Sequence, residues 1–131
     1  MVEVLWNRKG KNMNTINISD IKALKLPKRD IKVLVGGSSA VQSEYMTFGV
    51  TTIQPDMKMD PHTHMNEEEI IFILSGEGYV EIDDKQEELR EGTVIKLPIG
   101  SEHLLNNTSN KEMTFVFCFN AKMNIGSYDK K

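Results

Sequence analysis

Histidine occurs three times in this chain, and each occurrence falls at a spacing suited to holding a metal ion. His62 and His64 stand two residues apart in Pro61-His62-Thr63-His64, and side chains two apart on a β-strand point to the same face. Two imidazoles therefore converge from one strand. Glu69 opens the next run, Glu-Ile-Ile-Phe-Ile-Leu, and returns a carboxylate beside them if that run pairs antiparallel with the histidine strand. His103 completes the set from a third strand. Three imidazoles and one carboxylate suit one divalent transition metal, Mn, Fe, Zn, Ni, Co or Cu, because nitrogen donors of intermediate softness exclude Ca. Four protein ligands on a six-coordinate ion leave two adjacent positions for water, a bidentate substrate or dioxygen, as a catalytic site requires.

The elements that must carry these residues are strands. From Ile31 onward, short apolar or alternating runs are closed by Gly, Pro, Asp or Asn, which is the spacing of an all-β sandwich or barrel. The pattern predicts strands over 31–35, 45–53, 57–64, 69–75, 78–83, 86–90, 93–97, 103–107 and 112–119. Gly76-Glu77-Gly78 reads as a tight hairpin and Asp83-Asp84-Lys85 as a polar reversal, and both point to antiparallel pairing. One helical turn is expected at Ser19-Asp-Ile-Lys-Ala-Leu, capped by Ser19 or Asp20 and stopped by Pro27. Residues 1–30 read as an N-terminal arm, 31–120 as the compact β domain and 121–131 as a polar tail.

With the motifs written out, the sequence resembles the cupin superfamily. The first cupin motif, H-x-H, four residues, E, six residues, G, is met by His62, His64, Glu69 and Gly76. The second, G, five residues, P-x-G, two residues, H, three residues, N, is met by Gly92, Pro98, Gly100, His103 and Asn107. Two ordered motifs are far more specific than either alone. The spacing to Gly76 selects Glu69 over its neighbour Glu68, the alternative ligand in a register slipped by one. One departure stands at Asp56, where the family usually has a glycine six residues before the first histidine. Asp tolerates turn conformations, so the turn is expected to persist. The resemblance implies a small antiparallel double-sheet β-barrel of the jelly-roll type with the metal inside its open end. It also implies that Pro98-Ile99-Gly100 delivers His103 into the barrel, and that the protein is a homodimer, with Trp6 and Leu24 of the arm available to a partner.

The remaining candidates concern the pocket. Ile71, Asn107, Phe115 and Phe117 are candidate substrate-pocket residues; Asn107 can share the face of His103 along its strand, and the aromatic face of Phe115 and Phe117 has three readings, core, pocket wall or dimer surface. Lys96 interrupts Thr-Val-Ile-Lys-Leu and has two readings, an inward cation for a substrate carboxylate or phosphate and an outward edge-strand charge. Arg29, Arg90 and Lys58 are open in the same way. Met46, Met57, Met59 and Met65 read as flexible filling around the first motif.

Composition narrows the function. A formal charge of −3 supplies no field for nucleic acid or an anionic membrane, and no apolar run approaches the ~20 residues of a membrane span. Cys118, the only cysteine, excludes an intrachain disulfide, and a cytoplasmic setting is expected. The expected function is a metal-dependent enzyme on a small polar metabolite, a sugar or organic acid, of isomerase, epimerase or lyase type. An Fe(II)- or Mn(II)-dependent dioxygenase and a non-catalytic carbohydrate or small-molecule binder are the alternatives.

Overall fold

The structure, a computed structural model, describes residues 13–125. Trp6 and the basic residues Arg8, Lys9 and Lys11 lie outside the described residues. The described residues form ten strands: β1 (Leu24–Leu26), β2 (Arg29–Val35), β3 (Thr47–Ile53), β4 (His62–Thr63), β5 (Glu69–Ser75), β6 (Gly78–Ile82), β7 (Lys85–Leu89), β8 (Val94–Leu97), β9 (Glu102–Asn107) and β10 (Met113–Phe119). They form a six-stranded sheet, β1-β2-β3-β10-β5-β8, facing a four-stranded sheet, β4-β9-β6-β7. All strand pairs are antiparallel, and the ladders run within two sheets without closing into one cylinder.

Alternation drives the assembly. Along β10, Met113, Phe115, Phe117 and Phe119 are buried while Thr114, Val116 and Cys118 are half-buried on the other face. The same parity holds on β3 and at the inward positions of β5, Glu69, Ile71 and Ile73, so one apolar layer forms between the sheets. Gly49 leaves room for this layer: a Cβ there would lie 2.6 Å from the Phe117 ring.

Several local expectations change. The predicted strand 57–64 is reduced to a single bridge, Lys58 with Asn106, followed by the two-residue β4, because Pro61 has no N–H for a ladder. Gly76 and Gly78 do not close a hairpin; they carry the chain from β5 in the larger sheet to β6 in the smaller one. A Cβ on Gly78 would meet the Asn106 carbonyl at 1.9 Å, so this crossing requires close backbone approach. Asp83-Asp84 does form a hairpin turn, joining Ile82 to its partner Lys85. The helical turn is a 3-10 turn over Ile18–Asp20, and its cap is Asn17, whose Oδ1 accepts from Ser19 N at 2.9 Å. The larger sheet also begins earlier than the sequence pattern suggests, at Leu24, through pairing of β1 with β2.

Candidate metal centre

β4 and β9 bring the three histidines together. His62 lies directly opposite His103 in the ladder, and His64 follows just beyond β4. Ring centroids are separated by 4.4 Å for His62 and His103, 5.2 Å for His62 and His64, and 5.3 Å for His64 and His103. One nitrogen from each lies within 4.8 Å of the others, a group that can hold a metal ion. The Pro98–Gly100 turn fixes the approach of β9: Gly100, at φ 79°, donates its N–H to the His64 carbonyl at 2.9 Å. At Asp56 the backbone adopts φ 56°, so the aspartate does occupy the left-handed turn conformation at that position.

Glu69 arrives by a different route from the one its sequence neighbourhood suggests. β5 pairs with β10 and β8 and not with the histidine strand, so the carboxylate reaches the imidazoles across the gap between the sheets. Its Oε1 stands 3.7 Å from His64 Nε2 and 3.8 Å from His103 Nε2. These separations exceed hydrogen-bond length. Glu68 N donates to Asn120 Oδ1 at 3.1 Å, and Glu69, not the half-buried Glu68, is the buried carboxylate.

The donor set fits a cation. His103 Nε2 is buried without a hydrogen-bond partner, an arrangement that costs about 1–3 kcal/mol unless something else satisfies the atom. Nδ1 of His62 lies 3.2 Å from the Asp60 carbonyl and Nδ1 of His103 lies 3.3 Å from the Ser101 carbonyl. An Nδ1–H donated to a carbonyl presents the Nε2 lone pair to a metal.

Electrostatics leads to the same conclusion. Burial, helped by neighbouring His62, pushes His64 down to about 4. Burial, then His62 and His64, push His103 down to about 3, against the opposing hydrogen bond to Ser101. Burial pushes Glu69 up to about 8. At neutral pH the His64 and His103 imidazoles are thus neutral and ready to ligate, while Glu69 keeps a proton that coordination would displace. The close approaches of Glu69 to these rings are accordingly not ion pairs.

A cavity of about 50 Å³ opens onto this cluster. Ile71, Phe115 and Phe117 line it, together with Phe119, whose ring meets His64 edge-on at 4.8 Å. Two of the pocket candidates do not line it. Lys96 is exposed on the outer face of β8, because Ile95 and Leu97 take the inward positions. Asn107 is fully buried but structural: its Nδ2 donates to the carbonyls of Ile53, Gln54 and Lys111, and its Oδ1 accepts from Ser109. Of the residues left open, Arg29 lines the cavity and Lys58 and Arg90 are exposed outside it. The sequence signal for Arg29 was parity, since it sits on the inward face of β2 with Ile31, but its charge obscured that.

The cupin domain family matches residues 49–119, more than half of the chain and the span that contains every residue of the cluster. The chain is a cupin. This cupin is 29% identical over 89 residues to the protein SchB of Streptomyces halstedii, a match covering 67% of the chain and 63% of SchB. It is 29% identical over 77 residues to the oxalate-binding protein of Thermotoga maritima, covering 59% of the chain and 64% of that protein. The chain thus spans less than two thirds of the length of these curated relatives. Its fold superposes on oxalate decarboxylase of Lactobacillus farciminis, solved as a formate complex, with a TM-score of 0.73 at 18% identity, over 82% of the chain and 33% of the enzyme. At that identity the likeness is one of fold. No helix among the described residues of this cupin is long and apolar enough to cross a membrane.

Proposed function

We propose that this cupin holds one divalent transition-metal ion through His62, His64, Glu69 and His103, and acts as a metal-dependent enzyme on a small organic acid. The observation that carries the reading is the convergence of three imidazoles and one buried carboxylate on a small, otherwise largely apolar cavity. Its volume is far below the roughly 300–1,000 Å³ of pockets that enclose drug-sized ligands, which favours an acid of a few carbon atoms over a sugar. A bound ion would supply Lewis acidity at a ligand oxygen. The chain supplies the rest: backbone carbonyls orient His62 and His103, while Ile71, Phe115, Phe117 and Phe119 exclude water from the ligand. The oxalate-named relatives support an organic acid as the ligand class.

A second reading, capture without turnover, is favoured by one observation. Among the described residues, Arg29 is the only charged side chain lining the cavity beyond the four ligand residues, and a guanidinium does not serve as a general base at neutral pH. Isomerase, epimerase or lyase chemistry would therefore draw its proton transfers from the ligand set or from the substrate itself.

Elemental analysis of protein purified without an affinity tag, repeated on His62→Ala and His103→Ala, tests the site. One ion per chain is expected in the parent, with affinity at least about 100-fold weaker in either variant; variants that bind as tightly as the parent would reject the ligand set. Metal-loaded protein incubated with short acids then separates the readings. A converted acid indicates the enzyme, oxygen uptake indicates a dioxygenase, and a raised melting temperature with the acid recovered unchanged indicates a binder. Cytoplasmic residence and a homodimer built on the outer face of the larger sheet belong to the same proposal.

A further inference from the structure

One apolar side chain separates two cavities, and the segment that carries it is tied to the end of the larger sheet that bears Glu69. Glu69, Phe119 and Thr47 lie side by side in one register row across β5, β10 and β3. The chain leaves β10 at this row and continues as a strap over residues 120–125. Hydrogen bonds fasten it to its surroundings. Asn120 Oδ1 accepts from Glu68 N at 3.1 Å, the Thr47 hydroxyl donates to the Ala121 carbonyl at 2.8 Å, and the same hydroxyl oxygen accepts from Met123 N at 2.9 Å. Thr47 is only 1% exposed, so the strap satisfies a buried hydroxyl as both donor and acceptor. Met123 and Ile125 pack half-buried against the core while Lys122 and Asn124 are exposed, the alternation of an extended segment. A segment outside the sheets keeps one path only where it is tied down, and these ties set where Ile125 stands.

Ile125 lines the metal cavity of about 50 Å³ together with Phe117 and Phe119. It also lines a groove of about 280 Å³ bordered by Leu24, Leu26, Val33 and Met123. Among the described residues, it alone belongs to both walls. We infer that Ile125 is a specificity-determining residue: it partitions the cavity from the groove and confines the ligand to the few atoms that fit beside the metal centre. This role presupposes the metal-dependent reading of the site. Shortening the side chain joins the two volumes and opens a path for an apolar tail, because the wall beyond Ile125 is largely aliphatic and each methylene taken out of water there adds affinity.

The test uses Co(II)-loaded full-length protein and two probes with the same chelating head, glycolate and 2-hydroxyhexanoate, whose tail is longer by four carbon atoms. Binding is read from the Co(II) visible spectrum, which responds at the metal centre and not to adsorption elsewhere. The parent is expected to bind glycolate at least about tenfold more tightly than 2-hydroxyhexanoate, since a filled wall resists added methylenes. In Ile125→Ala the glycolate affinity stays within about threefold of the parent, while 2-hydroxyhexanoate binds at least about tenfold more tightly than it does to the parent. Equal affinity of the parent for the two probes, or a preference for the longer one, overturns the assignment, as does a parent-like preference in a folded Ile125→Ala. Loss of Co(II) or glycolate binding by a folded Ile125→Ala also overturns it, because the side chain would then support the metal centre instead of bounding the cavity. If Ile125→Ala does not fold, Ile125→Val decides: the preference for glycolate should narrow at least about twofold, and an unchanged preference rejects the role. Failure of the parent to bind Co(II) or glycolate is a different result, which rejects the metal-dependent reading itself.

Discussion

Glu69 is the residue on which the centre turns. Its carboxyl is buried among neutral imidazoles and apolar rings and is pushed up to about 8, while His64 and His103 are pushed down to about 4 and about 3. The raised group stabilises the metal-free fold below its ordinary 4.5, and that contribution is lost as pH rises through about 8. The lowered imidazoles act in the other direction: their contribution is present above 6.5 and is lost as pH falls toward about 4 and about 3. Between pH 4.5 and 6.5 the gain from two imidazoles outweighs the loss from one carboxyl, so metal-free protein is expected to be most stable near pH 6.5, which melting curves across pH will check. If Glu69 is a ligand, as proposed, an ion would have to displace its proton, so metal affinity should rise up to about tenfold per pH unit through the neutral range and level off above about 8. In Glu69→Gln the affinity drops and this contribution to the slope disappears. Calorimetry in buffers of different ionisation enthalpy counts the released proton directly.

At the scale of elements, the second-motif asparagine has a role separate from the ligands. Asn107 ends β9 and fastens the β9–β10 turn to the end of β3, with contacts of 3.2 Å to Ile53 O, 3.0 Å to Gln54 O and 2.8 Å to Lys111 O. Its backbone N–H also holds Met57 O at 2.9 Å, in the segment that leads to the histidines. Asn107→Leu fills a similar volume but leaves those carbonyls without their donor, and the expected loss is about 2–4 kcal/mol in denaturant unfolding. Because no ligand is touched, the folded fraction should still bind one ion per chain. A variant as stable as the parent would show that the asparagine is dispensable as a clamp.

The whole molecule presents an unusually apolar exterior on one side. Ile70, Phe72 and Leu74 of β5 and Val94 of β8 share the outer face of the larger sheet, with Phe72 40% and Val94 63% exposed. Val116 and Cys118 of β10 continue the face through direct register with Phe72 and Ile70. This largely apolar face, interrupted by Lys96 opposite Ile70, is where the proposed dimer would pair, a two-fold arrangement being the commonest way for one chain to cover such a face. Sedimentation velocity should find a dimer, and Phe72→Glu should yield monomers that still bind metal, since the substitution points away from the cavity. A monomeric parent protein at micromolar concentration would refute this assembly.

The sequence by itself determined the all-β character, the parity of the core and the identity of the clustered donors, because strand alternation and turn chemistry are local properties of the chain. His62 and His64 share a face for that reason alone, and His103 could be assigned through the spacing of its turn. Tertiary structure decided which strands became neighbours. Glu69 follows His64 closely in sequence yet enters from the opposite sheet, Gly76 and Gly78 bridge two sheets instead of closing a hairpin, and Arg29 shares a cavity with residues more than thirty positions away. Lys96 and Asn107 left the list of pocket residues for the same reason. Pairing between strands and contact across a cavity are set by long-range burial and by hydrogen bonds between distant segments, and no local pattern of residues encodes them.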